Sequence, residues 1–298
     1  MRVATASADS TAAGTDVGQR GDALHAFVAA HPRLFVLTGA GTSTESGIPG
    51  YRDADGRWMR AAPVLYQDFV RSVASRRRYW RRSMAGWPLL AAARPNAAHA
   101  ALANLEVLRH VTRIATQNVD GLHERAGSAT AIALHGSIHD VVCMDCGGRF
   151  SRAAVQQALE AANPDFRATA GSVQPDGDAD IADDHGDAFT IPACTHCNGR
   201  LKPDVVFFGE GVPTDRVALA RAALEGSDAM LVVGSSLAVY SGYRFCEWAA
   251  ALQKPIAAIN LGRTRADPLL ALKANEPCGP ALTALAQRLG TGHDAAVR

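Results

Sequence analysis

Nowhere does the chain carry eighteen consecutive apolar residues, so no membrane-spanning helix and no membrane partner are expected. Neither sign of charge dominates. The 30 basic and 29 acidic side chains leave a formal charge of +1, without the global positive field that would hold nucleic acid. Residues 1–21 lack the basic start and long apolar core of a secretory leader. Rich in Ala, Ser, Thr and Gly, they read as a flexible tail, as do residues 291–298. The spacing Gly-x-Gly-x-x-Gly is missing too. After Gly39-Ala40-Gly41 the next glycine is Gly47, too late for a plain hydride-transfer dinucleotide fold. Cysteine is scarce, with six in 298 residues, and four of these form two close pairs. That arrangement points to a metal site in a reducing compartment, and so to the cytoplasm, and not to a disulfide scaffold.

What is present is a chain with a real core, 48% hydrophobic, and a repeated alternation of apolar strand and amphipathic helix. A short helix over residues 22–30 precedes a strand from Leu34 to Leu37. A helix over residues 96–109 is followed by a strand at 112–116, a helix at 122–125 and a short strand into Leu134-His135-Gly136. The rhythm resumes with strands at 204–208, 229–233 and 255–259, and with helices at 214–225, 243–252 and 280–289. Repeated strand–loop–helix units imply an α/β fold, a Rossmann-like parallel sheet covered on both faces. Residues 57–92 and 138–200 break the rhythm. The predicted organisation is a discontinuous nucleotide-binding domain (residues 22–56, 93–137 and 201–290). Residues 57–92 form a helical part of a small domain, and 138–200 an inserted zinc module with an exposed acidic loop near 171–188. Arg76, Arg77, Arg78, Arg81 and Arg82 read as the solvated face of a helix or as a patch that attracts acidic partners.

Four stretches carry chemistry. Gly39-Ala40-Gly41, directly after the first strand, lets backbone approach a pyrophosphate ahead of a helix N-terminus, or simply makes a tight turn. Gln117-Asn118-Val119-Asp120 leaves a buried strand at its C-terminal edge, where polar side chains face a ligand crevice or cap the next helix. His135 ends another strand, where it serves as a base near neutral pH or as a satisfied core histidine. Cys143-x2-Cys146 and Cys194-x2-Cys197, separated by 47 residues, form two knuckles of a four-sulfur site. Such a site suits zinc over its iron–sulfur rival, and its closed coordination makes it structural.

In this order the stretches closely resemble the sirtuin family. Further matches are Thr42 to Arg52, Lys202-Pro203-Asp204-Val205-Val206-Phe207-Phe208-Gly209-Glu210, Gly234-Ser235-Ser236-Leu237 and Ile259-Asn260-Leu261-Gly262. Together they span about residues 30–285. Arg78-Tyr79-Trp80, Gly86-Trp87-Pro88, Val239-Tyr240-Ser241-Gly242-Tyr243-Arg244-Phe245 and Cys278-Gly279 are similar to the class II branch, which has mitochondrial and many bacterial members. Gly50 departs from the acidic or small polar residue usual there and makes the cofactor loop more permissive.

The resemblance implies an NAD-dependent protein-lysine deacylase. NAD is consumed, one structural zinc stays outside the reaction, and the partner is an acylated lysine in a protein or peptide. The acyl oxygen attacks the nicotinamide ribose and nicotinamide leaves. His135, with Asn118 in the ribose pocket, is the implied catalytic pair, and His135 helps to deprotonate a ribose hydroxyl. Cofactor contacts are implied for Gly39, Ala40, Gly41, Glu45, Tyr51, Arg52, Gln117, Asn118, Asp120, His135, Gly234, Ser235, Ser236, Asn260, Leu261, Gly262 and Cys278. Asp120 is the one that recognises the nicotinamide amide. Substrate contacts are implied for Val206, Phe207, Phe208, Gly209, Glu210, Leu237, Val239 and Tyr240, and zinc ligation for Cys143, Cys146, Cys194 and Cys197. Two other readings stay open: a protein mono-ADP-ribosyltransferase using the same crevice, and an NAD- or ADP-ribose-binding module without turnover. Tyr79-x-x-Arg82 has the spacing with which one branch of the family grips acidic acyl groups. In an arginine-rich helix that match arises easily by chance, so neutral acyl groups longer than acetyl are the expected substrates. Nothing in the sequence sets an oligomeric state.

Overall fold

In the computed structural model the described residues are 21–51, 63–166, 175–179, 181 and 188–296. A helix over residues 21–30 (α1) leads to β1 (Leu34–Thr38). Then come α2 (Tyr66–Arg71), α3 (Val73–Ala92), α4 (Ala97–Val107), β2 (Val111–Thr116), α5 (Leu122–Arg125) and β3 (Ala131–Ala133). The strands β4 (Gly136–Cys143) and β5 (Arg149–Ser151), α6 (Arg152–Ala162) and β6 (Leu201–Val205) follow. The chain ends with α7 (Thr214–Glu225), β7 (Ala229–Val233), α8 (Tyr240–Ala251), β8 (Ile256–Ile259), β9 (Leu272–Ala274) and α9 (Cys278–Ala296).

The large sheet is six-stranded and parallel, in the order β3-β2-β1-β7-β8-β9. Strands β1, β7 and β8 are buried at every residue, as continuous apolar runs covered on both faces must be. One side packs on α1, α4 and α9, through Leu24, Leu102, Leu105, Leu282 and Leu285. The other packs on α7 and α8, through Leu224, Phe245 and Ala249. Each fully buried Leu or Phe contributes roughly 1.5–3 kcal/mol. From β1 the chain moves outward one way to β2 and β3, and later the other way from β7 to β8 and β9. Connections therefore diverge between the C-terminal ends of β1 and β7, which opens a crevice there.

A second, antiparallel sheet, β5-β4-β6, holds the cysteine pairs. The strand expected at 204–208 is corrected to Leu201–Val205, and it belongs to this small sheet. The apolar run Val205-Val206-Phe207-Phe208 reads as a buried strand, but its later half pairs elsewhere. Val206 N–H donates to His135 O (2.8 Å), and Tyr66 N–H donates to Phe208 O (2.9 Å). Helix α8 begins at Tyr240, three residues before the expected start.

Helices α3 and α6 pack on the small sheet through Trp80, Trp87, Val155 and Leu159. Pro88 sits inside α3 and cannot donate to the carbonyl of Met84 one turn back. Gln156 Nε2 from α6 donates to that carbonyl instead (3.0 Å), so the helix passes through its proline. Arg152 is fully buried, donates to Ser83 O and Oγ (3.1 and 3.2 Å), and lies over the rings of Trp80 and Trp87 (5.5 and 5.0 Å). The solvated arginine face expected for α3 is also corrected. Arg78 is exposed, but Arg81 is buried. Arg82 pairs with Asp178 (2.8 Å) and donates to Ala179 O (2.9 Å). Most of the acidic segment 171–188 lies outside the described residues.

Candidate active site and metal centre

The crevice above β1 and β7 has a volume of about 780 Å³. Of the cofactor and substrate residues expected from the sequence, all but Gly262 and Arg52 line it. Gly262 lies just behind, with its N–H donating to Asn275 Oδ1 (2.9 Å). Arg52 lies outside the described residues.

After β1 the chain forms two short 3-10 turns, Ala40–Thr42 and Thr44–Ser46, in place of the expected helix. The loop is tied down across the switch point, because Gly41 N–H donates to Gly234 O (2.8 Å). A Cβ on Gly41 would stand 2.8 Å from that oxygen, and one on Gly39 would stand 2.7 Å from Ser235 Cβ. Glycine is thus required where the two loops touch. Two residues after Ser235, Leu237 is fully buried in the left-handed region at φ 56°, a strain of roughly 1–3 kcal/mol of the kind stored at functional sites.

A polar cluster closes the inner end. Asp120 is buried; its Oδ2 accepts from Ser43 Oγ (2.7 Å) and its Oδ1 from Leu122 N–H (3.0 Å). Asn118 Nδ2 donates to Gly39 O (3.1 Å) and Ser43 Oγ (3.0 Å). Gln117 Nε2 reaches Ser235 Oγ (2.8 Å) and Thr38 O (3.2 Å). Its amide fits because residue 242 is glycine, since a Cβ there would overlap Gln117 Oε1.

His135 lines the crevice, half-buried. Its Nδ1 lies 2.8 Å from Gln117 O and its Nε2 lies 2.8 Å from Ser241 Oγ. A carbonyl only accepts, so Nδ1 carries the proton and Nε2 of the neutral ring is the basic nitrogen. Burial pushes the His135 pKa down. The Gln117 carbonyl opposes this, and the positive charges of Arg244 and Arg216 push the same way as burial. At neutral pH the ring is an unprotonated base.

At the other end Asn260 Nδ2 donates to Leu261 O (2.8 Å). Burial, with Glu45 nearby, pushes the Cys278 thiol up to about 12, so it stays protonated and contributes shape and not nucleophilicity. On the substrate side Glu210 turns back into its own loop. It accepts from Phe207 N–H (2.8 Å) and pairs with Lys202 (3.0 Å), so it shapes that wall. Phe207 packs against Tyr79 and Phe69 at 5.1 and 5.0 Å between ring centres.

The four paired cysteines come together, with all Sγ atoms within 4.8 Å of one another. Cys143 to Cys197 is 3.5 Å and Cys146 to Cys194 is 3.8 Å. Zn–S bonds of about 2.3 Å in a tetrahedron set the sulfurs about 3.8 Å apart, so the cluster fits zinc. The two knuckles repeat one geometry. Asp145 N–H donates to Cys143 Sγ and His196 N–H to Cys194 Sγ, each at 3.4 Å. Gly147 and Asn198, directly after each pair, both take φ above 60°.

Ser43 and Ser241 are the site residues that sequence reasoning passed over. Serine at a turn or a helix start reads as a cap. Only the fold shows that Ser43 bridges Asp120 and Asn118 and that Ser241 holds His135 Nε2.

A model of the Sir2 family matches residues 39–241. An "NAD-dependent protein deacetylase" of Xanthomonas campestris pv. campestris (strain 8004) is 52% identical over 282 residues, covering 95% of this chain and 96% of that protein. "NAD-dependent protein deacetylase 2" of Bradyrhizobium diazoefficiens is 55% identical over 262 residues, covering 88% and 96%. Among solved structures, a "Sir2-p53 peptide-NAD+" complex superposes with a TM-score of 0.71 at 27% identity, covering 92% of this chain and 98% of that one. The chain belongs to the Sir2 family. Among the described residues no helix is long and apolar enough to cross a membrane.

Proposed function

We propose that this protein removes acyl groups from protein lysines while consuming NAD, and that the products are nicotinamide, free lysine and O-acyl-ADP-ribose. The observation that carries this reading is the pairing of two features in one crevice. A neutral histidine base, fixed by Gln117 O and Ser241, lies in the same crevice as a buried amide-recognising cluster of Asp120, Ser43 and Asn118. The glycine contacts that admit close backbone approach, and the polar ends of β1, β2, β7 and β8, suit a dinucleotide. NAD supplies a nicotinamide leaving group and the ribose that takes up the acyl group. The protein's part is to hold the nicotinamide amide at Asp120, to accept a ribose proton at His135 Nε2, and to keep water from the reacting centre with Phe207 and the cofactor loop.

An acyl-lysine peptide with and without NAD, followed by mass spectrometry, tests the reading. The expected result is free lysine plus acyl-ADP-ribose. A protein heavier by ADP-ribose, with the acyl group intact, would make it a transferase to side chains, and no nicotinamide release would make it a binding module. We place the enzyme in the cytoplasm, where a reducing environment keeps the paired thiols available for zinc.

Asp120→Asn and Asp120→Ala are expected to weaken inhibition by free nicotinamide. The lost acceptor costs roughly 1–3 kcal/mol, or about 5- to 150-fold. The inhibition constant of both variants checks this; values equal to the parent enzyme's would remove Asp120 from that role.

Acyl preference follows from the floor of the crevice. Tyr79 reaches it, but Arg82 is already taken by Asp178 and the Ala179 carbonyl. Asp176 and Asp178 line the same wall. A succinyl carboxylate would meet like charge without a free arginine, which is costly. An apolar acyl chain gains about 0.8 kcal/mol per buried methylene. Butyryl and branched acyl peptides are therefore expected to exceed succinyl in kcat/KM. A succinyl preference abolished by Arg82→Met would overturn this.

A further inference from the structure

Among the described residues that line the crevice, Arg244 and Arg263 are the only arginines, against the carboxylates of Glu45, Asp120, Asp176, Asp178, Glu210 and Glu276. Arg263 follows the loop after β8, at the Asn260 end. Arg244 lines the crevice at the Tyr240 edge. It lies on α8 one turn beyond Ser241, whose hydroxyl holds His135, so both project from one helix face. Its guanidinium lies 5.8 Å from the ring of Tyr240, which is exposed at the rim. The side chain is half-buried and its Nε is sealed from solvent without a hydrogen-bond partner. Among the described residues no carboxylate lies within ion-pair distance of it. Two neighbouring cations do not line the crevice: Arg216 faces Asp204 (3.8 Å), and Arg265, also 6.0 Å from the Tyr240 ring, stacks on Tyr243 (4.0 Å).

A partly desolvated guanidinium without an anion, set in the wall of a substrate crevice, lacks a partner that the substrate can bring. We propose that Arg244 receives the carboxylate of an Asp or Glu side chain next to the acylated lysine, making the preferred substrate an acyl-lysine in an acidic sequence context. This rests on the deacylase reading. The position decides between sources of the carboxylate. Arg244 follows Val239 and Tyr240, the implied peptide contacts, whereas the expected acyl contacts Tyr79 and Phe207 line the crevice together with Asp176 and Asp178. The cleft thus offers an uncommitted cation beside the peptide and none at the acyl end, where Arg82 is already held by Asp178. A Glu or Asp neighbour is attracted, and a neutral acyl group is the one admitted.

The test uses the zinc-containing protein as purified and three butyryl-lysine peptides that differ only in having Glu, Ala or Lys beside the modified residue. Fluorescence anisotropy gives peptide affinity without NAD, and kcat/KM is measured with it. The Glu peptide is expected to bind about tenfold more tightly than the Ala peptide, as one charge-assisted hydrogen bond allows, and the Lys peptide more weakly still. The preference should shrink with added salt, collapse in Arg244→Gln and partly persist in Arg244→Lys. Equal affinity for the Glu and Ala peptides in the parent protein, with turnover of both, would overturn the proposal and leave the deacylase reading standing. A Glu preference that survives intact in Arg244→Gln would overturn it equally. If a matched succinyl peptide is preferred and Arg244→Gln removes that preference, the carboxylate comes from the acyl group and the assignment to a flanking side chain is wrong. Absence of turnover for every peptide would remove the reading on which the proposal depends.

Discussion

Replacing His135 with alanine is expected to lower deacylation by roughly 10²–10⁴-fold, the usual weight of a positioned general base. NAD binding should survive, because the residues that shape the nucleotide end are held by other contacts, among them Gly41 to Gly234 and Gln117 to Ser235. Exchange of labelled nicotinamide into NAD, in the presence of an acyl peptide, should also persist, since the base acts after that bond has broken. The pH profile gives a second readout. A base works when unprotonated, and burial holds the His135 pKa below its ordinary value of 6.5. Activity should therefore stay level through neutrality and fall only as the pH drops through that lowered pKa, with the inflection below 6.5. The Ser241→Ala variant loses the hydroxyl at Nε2 (2.8 Å) but keeps the base, so a smaller loss is expected, with the acid limb displaced. Near-parental kcat in His135→Ala, or an inflection above 7, would remove the histidine from this role.

How much of this was legible in the sequence depends on how local the cause is. Strands β1, β7 and β8 are continuous apolar runs, and their burial follows from the pattern alone. The cysteine pairs are legible because a knuckle needs only its own six residues: the C-x-x-C, the left-handed residue and the glycine after it. Asn118, Asp120 and His135 follow from their place at strand ends, where an open parallel sheet binds its ligands.

What escaped the sequence is set by partners distant in the chain. Arg82 reads as a solvated helix residue until Asp178 arrives from the far side of the insertion. Pro88 leaves Met84 O without a helical donor, and only the fold shows that Gln156 of another helix supplies one. The stretch from Val205 to Phe208 has the composition of a core strand, yet His135 O and Tyr66 N–H compete for its backbone. The turns after β1 depend on Gly234, nearly two hundred residues onward. In each case a tertiary contact outweighs a local preference, worth less than about 1 kcal/mol for an ordinary residue and about 3 kcal/mol for a proline in a helix.

Stripping the metal is expected to have the other large effect. Cys143 and Cys146 leave the end of β4, while Cys194 and Cys197 precede β6, so a single ion ties together the two chain segments at the end of the small sheet where Cys143 pairs with Leu201. Without it, four thiolates packed within 4.8 Å repel one another or must take up protons. Apparent binding energies of structural zinc sites are of order 10–16 kcal/mol, comparable to or larger than the ~5–15 kcal/mol that holds a whole domain folded. Elemental analysis should find one zinc per chain, and the protein should show no visible absorption of an iron–sulfur cluster. Cys143→Ala, or a strong chelator, should melt β4, β5, β6 and α6 at lower temperature, with the near-ultraviolet signal of Trp80 and Trp87 changing first, since both rings pack in that core. The six-stranded sheet has its own core on each face and should unfold later, as a separate transition. Deacylation should fail with the first transition although zinc touches no reacting atom. Phe207 and Tyr79, which line the crevice, belong to the same buried cluster as Cys143 and Cys194, so loss of the metal should open that wall. A zinc-free protein that keeps the small module folded and turns over acyl peptide would overturn this account of the site.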